Sequence, residues 1–219
     1  MKCPRCFYLD RRLGVEPPGG PPFSINSAVD HLLKKEFDRY RNEQLPHPYM
    51  QAVGLDAIPF SHPQLDEWRE NFKGVQYVHV ASGFRVTGAI DDLWMDRQTN
   101  ELIVVDYKAT AKDGEVSLDA DWQISYKRQM ELYQWLLRRN GFPVSKTGYF
   151  VYCNGDKSAG GFDGVVRFKV KLLSHEGDDS WVEEALMAAK TCLDSDSAPV
   201  PTSSCEQCSY VTDVRSLAL

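Results

Sequence analysis

Hydrophobic residues recur every three to four positions in three long segments of the chain. This spacing places them on one side of a helix, so residues 24–44, 121–141 and 175–193 are predicted to form amphipathic helices. The apolar stripe of the first helix consists of Ile25, Val29, Leu32, Leu33 and Phe37. A shorter helix is predicted around residues 64–72.

Most of the sequence between these helices has the residue pattern of β-strands. Five runs rich in β-branched and aromatic residues are predicted to be strands, at 75–80, 84–95, 101–109, 146–154 and 164–173. Proline and glycine make residues 15–23 a loop, and the tail from residue 195 has a loop-like composition. The order of helix, three strands, helix, two strands and helix predicts an α/β fold, with a mixed central β-sheet flanked by helices.

Composition narrows the class of protein. Of the 219 residues, 42% are hydrophobic, which is enough for a full core and argues against disorder. The net charge of −6 argues against a coat-like nucleic-acid binder, but it permits an enzyme with a local basic groove. No apolar run is long enough to span a membrane, and no secretory signal is present. We therefore expect a cytoplasmic protein with reduced cysteines.

The segment from residue 88 to 109 contains several charged residues that could form a catalytic site. If residues 97–100 form a four-residue hairpin loop, Asp96 faces Glu101, and counting outward puts Asp91 opposite Asp106. Opposed residues share a face of the sheet, with Cβ atoms about 5 Å apart. Lys108 lies two residues beyond Asp106 and points to the same face. The hairpin is therefore predicted to bring two carboxylates and an ammonium together.

Two carboxylates at this separation repel one another unless a cation lies between them. Their neighbours along the chain are apolar, so water does not relieve the repulsion. Mg²⁺ or Mn²⁺ suits such a site, and an adjacent lysine assists the hydrolysis of a phosphodiester. The alternative is that Asp106 and Lys108 form an ordinary surface ion pair at a strand end, since an acidic residue two before a lysine is common by chance.

These motifs resemble the PD-(D/E)XK nuclease superfamily. GAID at 88–91 and VVDYK at 104–108 are similar to its metal-binding core, and QMELY at 129–133 resembles the Gln-x-x-x-Tyr motif of its RecB-like branch. The resemblance implies a catalytic Lys108, with Gln129 and Tyr133 beside the active site. It also implies metal ligation by Asp91, by Asp106 and by the backbone carbonyl of Tyr107. Taken alone, Tyr133 on an apolar helical face is an ordinary core residue.

The first predicted helix departs from the family pattern. The RecB-like branch carries a histidine there, whereas NSAVDHLL places Asp30 in that register and His31 one residue later. A carboxylate is a good hard-metal ligand, so we favour Asp30 as a further ligand. A shift of one residue rotates a helical side chain by about 100°, so His31 would point elsewhere. The alternative is that both are ordinary surface residues.

Two Cys-x-x-Cys pairs lie at opposite ends of the chain. Cys3 and Cys6 form the first pair, and Cys205 and Cys208 form the second. Four thiolates in two such pairs are typical of a structural zinc site. The context CPRCFYL instead resembles RecB-like helicase-associated nucleases and CRISPR-adaptation exonucleases, in which a [4Fe–4S] cluster joins the ends of the domain. Those proteins have one cysteine before the domain and three after it, so zinc and two unrelated reduced pairs both stay open.

The resemblance implies a single nuclease domain over residues 1–219. Its catalytic core is predicted at 24–173, and residues 1–14 and 199–219 are predicted to form the metal clasp. We expect a DNA exonuclease acting on single-stranded ends, with helicase, DNA-repair, recombination or CRISPR-adaptation partners. Basic residues near aromatic ones fit such a substrate; they lie near the amino terminus and on the first two long helices, with Lys34 and Arg41 on the first. The alternative is that the helical ones form an ordinary solvated face. The alternatives are a catalytically inactive binding or assembly module and a zinc or redox protein unrelated to nucleases.

Overall fold

The computed structural model of the protein describes residues 2–20 and 24–217. Positions 21–23 of the predicted proline-rich loop and the last two residues of the tail lie outside the described residues. The chain divides into two compact units. The larger unit comprises the described parts of Phe23–His79 and Arg85–Asp179, and the smaller one comprises those of Met1–Pro22, Val80–Phe84 and Ser180–Leu219.

The larger unit is built on a five-stranded mixed sheet. Its strands, in their order across the sheet, are β1 (Ala57–Pro59), β4 (Asp92–Asp96), β5 (Leu102–Thr110), β6 (Thr147–Gly155) and β7 (Phe168–Glu176). Strands β5 and β6 are parallel, and the other neighbouring pairs are antiparallel. Two further strands, β2 (Val75–His79) and β3 (Phe84–Gly88), pair separately. The predicted α/β fold with a mixed central sheet is confirmed.

Helices flank this sheet and connect its strands. The helices of the larger unit are α2 (Ser24–Glu43), α3 (Pro48–Ala52), α4 (Leu65–Trp68) and α5 (Ile124–Arg139). A short 3₁₀ helix at Asp121–Gln123 leads into α5, which connects the parallel strands β5 and β6. Helix α5 and β6 approach closely at Gly148, where a Cβ atom would lie 2.0 Å from Sδ of Met130. The long helices predicted at 24–44 and 121–141 are therefore present.

An aromatic core lies under α2. Phe37 is fully buried and stacks on Trp94 and Tyr107, with ring centroids 5.3 Å and 5.8 Å away. The predicted apolar stripe of this helix is narrower than its sequence indicates, because Ile25 and Leu32 are exposed. Burial of the Phe37 ring holds α2 against the face of the sheet to which Trp94 and Tyr107 point.

The segment predicted as one strand at 84–95 is divided in two. Strand β3 ends at Gly88 and β4 begins at Asp92, so Asp91 lies in the bend between them. The N–H of Ile90 donates to the carbonyl oxygen of Trp68 at 3.1 Å instead of to a neighbouring strand. A Cβ atom at Gly88 would lie 2.6 Å from Cε1 of Tyr133, so a larger residue at the start of the bend would displace that ring.

The smaller unit contains α1 (Pro4–Leu13), α6 (Trp181–Asp194) and α7 (Glu206–Ser216). Helix α7 corrects the expectation that the tail is a loop. None of its residues is buried, so it has no apolar stripe from which a helix could be predicted. None of the helices in the described parts of the chain has the length and apolar character that a membrane span needs.

Candidate active site and cysteine cluster

The β4–β5 hairpin has the register that the sequence predicts. Asp92 pairs with Val105, and the loop at 97–100 is closed by a hydrogen bond of 3.0 Å from the N–H of Asp96 to the carbonyl oxygen of Glu101. Asp91 lies one position beyond the last pair, in line with Asp106. Its Oδ2 accepts a hydrogen bond of 2.7 Å from the backbone N–H of Tyr107 on the opposite strand.

The two carboxylates lie in an environment that disfavours their charge. Asp106 is buried, and its Oδ2 forms an ion pair with Lys108. Burial raises the pKa of Asp106, although Lys108 opposes this rise. Burial, and then the charge of Asp106, raise the pKa of Asp91 from its ordinary 3.8 to about 7. A cation bound between Asp91 and Asp106 would therefore stabilise the charged form of both carboxylates.

Lys108 contacts two side chains besides Asp106, and one of them is held by a third. Its Nζ donates to Oε1 of Gln129 at 3.3 Å, and Nε2 of Gln129 donates to the hydroxyl of Tyr133 at 2.7 Å. The same ammonium lies 4.6 Å from the ring centroid of Tyr126. Gln129 and Tyr133 are one turn apart on α5, so a single helical face carries both side chains to the lysine.

The structure also brings Asp30 towards this group, and Lys34 lies between. Nζ of Lys34 is 2.9 Å from Asp30 Oδ2 and 3.8 Å from Asp91 Oδ1. His31 is exposed on another side of α2. Lys34 was foreseen as one of several basic residues on this helix. Lys34 follows Asp30 by four residues, so both lie on the same face of α2, and this spacing could have predicted that Lys34 is part of the site.

Hard oxygen donors and an unmet demand for positive charge make this site suitable for a divalent metal. The oxygens of Asp91 and Asp106, with the carbonyl of Tyr107 and the carboxylate of Asp30, are the ligand types that Mg²⁺ and Mn²⁺ take. The buried Asp106 Oδ2 contacts the Lys108 ammonium, which offsets part of its charge, and a bound cation would offset the charge of Asp91 beside it. A cavity of about 270 Å³ opens beside these groups, lined by Asn26, Val29, Asp30, Tyr107, Lys108, Ala109 and Tyr126.

The four predicted metal-binding cysteines come together in the smaller unit. Cys3, Cys6, Cys205 and Cys208 have Sγ atoms that all lie within 4.8 Å of one another. Sγ of Cys6 is 3.6 Å from that of Cys205 and 3.5 Å from that of Cys208. A four-thiolate group of this kind is able to bind a metal. Cys153 and Cys192 lie outside the cluster and are buried, as their predicted strand and helix indicate.

The cluster lowers the pKa of one thiol and raises that of another. Burial alone would raise the pKa of Cys3, but hydrogen bonds from the backbone at Cys6 and Thr202 and from neighbouring thiols lower it to about 6. Burial, followed by the neighbouring thiol of Cys208, raises the pKa of Cys6. Four thiols this close cannot all ionise without a cation, which is the electrostatic basis of a metal site.

Protein contacts hold the two ends of the chain together around these thiols. The hydroxyl of Tyr8 donates to the carbonyl oxygen of Ser195 at 3.2 Å. Nε of Arg5 donates to the carbonyl oxygen of Pro199 at 2.9 Å, and Thr202 Oγ1 donates to that of Lys2 at the same distance. The segments that carry the four cysteines are therefore positioned by hydrogen bonds as well as by the thiols.

Comparison with known protein families agrees with this arrangement. Residues 1–212 match the sequence model of the PD-(D/E)XK nuclease superfamily. The chain belongs to this superfamily. No curated protein matches the chain. PD-(D/E)XK nucleases use divalent metals and bind nucleic acid, so membership supports a metal-dependent nuclease in general.

Behind the PD-(D/E)XK carboxylates lies a buried charge network that the sequence reasoning missed. Asp92 is fully buried and forms ion pairs with Arg41 and Arg69. Its Oδ2 also accepts a hydrogen bond of 2.9 Å from the hydroxyl of Tyr107. Because neighbouring residues of a strand point to opposite faces, Asp92 points into the core and away from Asp91. No local sequence pattern predicts that Arg41 and Arg69 are its partners. Arg41 was expected on a basic surface, and the structure corrects this by burying it.

Proposed function

We propose that this protein is a metal-dependent deoxyribonuclease of the RecB-like branch, an exonuclease that acts on single-stranded DNA ends. The observation that carries the proposal is the position of Lys108, which contacts the buried carboxylate of Asp106 and the amide of Gln129 beside Asp91. An ammonium held next to two carboxylates of raised pKa matches what phosphodiester hydrolysis requires.

Each residue has a defined task in this proposal. Asp91, Asp106, the carbonyl of Tyr107 and Asp30 hold Mg²⁺ or Mn²⁺. When bound, the metal polarises a phosphate oxygen and lowers the pKa of its water. Lys108 stabilises the negative charge that develops on the scissile phosphate, because its ammonium is fixed rather than free to rotate.

Gln129 and Tyr133 act on the lysine rather than on the phosphate. The amide of Gln129 accepts from Lys108 through its oxygen and donates to Tyr133 through its nitrogen, so the two hydrogen bonds fix its orientation. Because a positioned cation stabilises a transition state better than a mobile one, this chain of contacts favours catalysis.

Cleavage of end-labelled single-stranded DNA with Mn²⁺ or Mg²⁺ tests the proposal. We expect products with the native protein, none after chelation, and none with Asp106→Ala or Lys108→Ala. Uncut circular single-stranded DNA beside a degraded linear strand would support an exonuclease. The matched controls are Asp66→Ala and Lys73→Ala, which make the same changes at exposed positions. Full cleavage by both active-site variants would refute the assignment.

For the four cysteines we propose a [4Fe–4S] cluster, with Zn²⁺ as the alternative. Six free thiols favour the reducing cytoplasm as its location, and helicase, recombination or CRISPR-adaptation proteins would be its partners there. Purification without oxygen, followed by the visible spectrum and elemental analysis, separates the two cofactors. A brown protein with iron and sulfide supports the cluster, and a colourless one with a single zinc supports the alternative.

One observation favours a second candidate function, a catalytically inactive nucleic-acid-binding or assembly module. Lys34 already places a positive charge 2.9 Å from Asp30 and 3.8 Å from Asp91, where the metal would be needed. In that case DNA binding would be unchanged by chelation and no product would form at any DNA end. The cleavage assay with Mn²⁺ decides between the two.

A further inference from the structure

Trp122 is a large apolar side chain that the fold leaves exposed. It lies in the 3₁₀ helix that precedes α5, and 59% of its surface is accessible. The ring of Tyr126, one turn later, meets it edge-on, with centroids 5.3 Å apart and planes at 83°. Burying a tryptophan is strongly favourable, so an exposed one on a fixed support is typical of a binding surface.

The support of Trp122 is rigid because its neighbour Gln123 is buried. Nε2 of Gln123 donates to the carbonyl oxygen of Ser117 at 2.7 Å, and its Oε1 accepts from the N–H of Ala120 at 3.0 Å. The turn before α5 is therefore anchored by the buried glutamine, and the indole next to it is presented without an ordering cost at the moment of binding.

The exposed indole is continuous with the candidate active site. The Tyr126 ring that contacts Trp122 lies 4.6 Å from Nζ of Lys108 and lines the same cavity as Lys108 and Asp30. Tyr126 thus contacts both the indole of Trp122 and the ammonium of Lys108. A strand whose phosphate contacts Lys108 would bring an adjacent base to Trp122.

We propose that Trp122, supported by Tyr126, is a stacking platform for an unpaired nucleobase of the DNA strand. This inference rests on the proposed function and adds how the site would recognise single-stranded substrate. Every base has a flat aromatic face, but in a duplex that face is covered by its neighbours along the strand, so only an unpaired base is free to stack. Recognition would depend little on sequence, since all four bases stack.

Binding to two single-stranded oligonucleotides of equal length tests the platform, one with normal bases and one with abasic sites throughout. Fluorescence anisotropy in EDTA measures affinity without cleavage. We expect Trp122→Ala to weaken binding of the normal strand about 5- to 100-fold and to leave the abasic strand unchanged, with Trp122→Phe in between. An unchanged affinity for the normal strand, or equal losses for both strands, would overturn the platform.

Phe72 supplies the matched control, since it is a fully exposed aromatic residue on another loop. Phe72→Ala should leave both affinities unchanged, and the far-ultraviolet circular dichroism of all variants should match the native protein. Failure of the platform is distinguishable from failure of the proposed function. A protein that cleaves DNA but shows no base-dependent loss in Trp122→Ala refutes the platform alone. A protein that shows the loss but never cleaves supports the platform and refutes the nuclease.

Discussion

Arg69 donates a hydrogen bond of 3.1 Å from Nε to the backbone carbonyl oxygen of Asp91. Its other nitrogens form ion pairs of 2.8 Å with Asp92 and 2.9 Å with Asp38. The guanidinium is almost completely buried, so its planar fork holds the bend that contains Asp91 in one orientation. A residue in the core thus fixes the backbone of a proposed metal ligand.

Removing this guanidinium should weaken the fold and the metal site together. In Arg69→Ala the buried carboxylate of Asp92 keeps Arg41 but loses its second cation, which should lower the free energy of unfolding by about 3 kcal/mol. Urea denaturation measures this loss, and Mn²⁺ titration at low temperature measures metal affinity. Arg69→Lys should recover only part of the stability and part of the Mn²⁺ affinity, since an ammonium cannot make the several directed contacts of a guanidinium.

The control for this prediction is Arg85→Ala, an exposed arginine on β3. Its stability should change by no more than about 0.5 kcal/mol. If Arg69→Ala is as stable as the control and binds Mn²⁺ normally, the proposed positioning role of Arg69 is wrong.

Asp91→Asn should stabilise the metal-free protein while abolishing cleavage. The raised pKa of about 7 means that charged Asp91 opposes folding above neutral pH. As pH falls, the folded state takes up this proton before the unfolded state, whose pKa is near 3.8, so stability is regained between about pH 7 and pH 4. The asparagine oxygen still accepts from the N–H of Tyr107.

Thermal melting with a chelator present tests the sign of this effect. We expect Asp91→Asn to melt several degrees above the native protein at about pH 8, with the difference shrinking towards about pH 4. Asp66→Asn, which changes an exposed carboxylate on α4, should show no such trend. A lower melting temperature for Asp91→Asn at high pH would contradict the prediction.

Cys3→Ser should release the metal of the cysteine cluster and lower the melting temperature. Replacing one of four thiolates weakens binding, and losing the metal removes a link between chain segments about 200 residues apart. Elemental analysis and thermal melting measure the two effects. Cys192→Ser is the matched control, since that thiol is buried in the same unit but lies outside the cluster. Equal metal content in both variants would refute the clasp.

Gly88→Ala should slow cleavage by displacing Tyr133. The added methyl group would lie 2.6 Å from Cε1 of that ring, so the ring must move and its hydrogen bond with Gln129 is lost or lengthened. Misplacing a group that orients Lys108 should cost about tenfold or more in rate. Gly160→Ala, at a position with open space around it, should cleave normally. Normal cleavage by Gly88→Ala would show that Tyr133 does not position the lysine.

The sequence by itself determined the hairpin register and the chemistry that the register aligns. A polar four-residue turn between two apolar strands leaves one pairing that keeps the hydrophobic faces together, so Asp91, Asp106 and Lys108 could be aligned by counting. The order of helices and strands likewise indicated the α/β class, since strands interspersed with amphipathic helices favour a sheet with helices packed on it. Spacing also favoured one four-thiolate group for the two cysteine pairs, and the structure brings their sulfur atoms together.

Only the tertiary structure decided which distant charges meet. Arg69 and Asp92 are 23 residues apart, and Lys34 approaches Asp91 from another element. No periodic pattern encodes such pairs, because they depend on how helices dock on the sheet rather than on local spacing. The same holds for Trp122, which is exposed next to Tyr126 on a turn that the buried Gln123 anchors. Sequence patterns report the faces of single elements, whereas an active site is built where several faces converge.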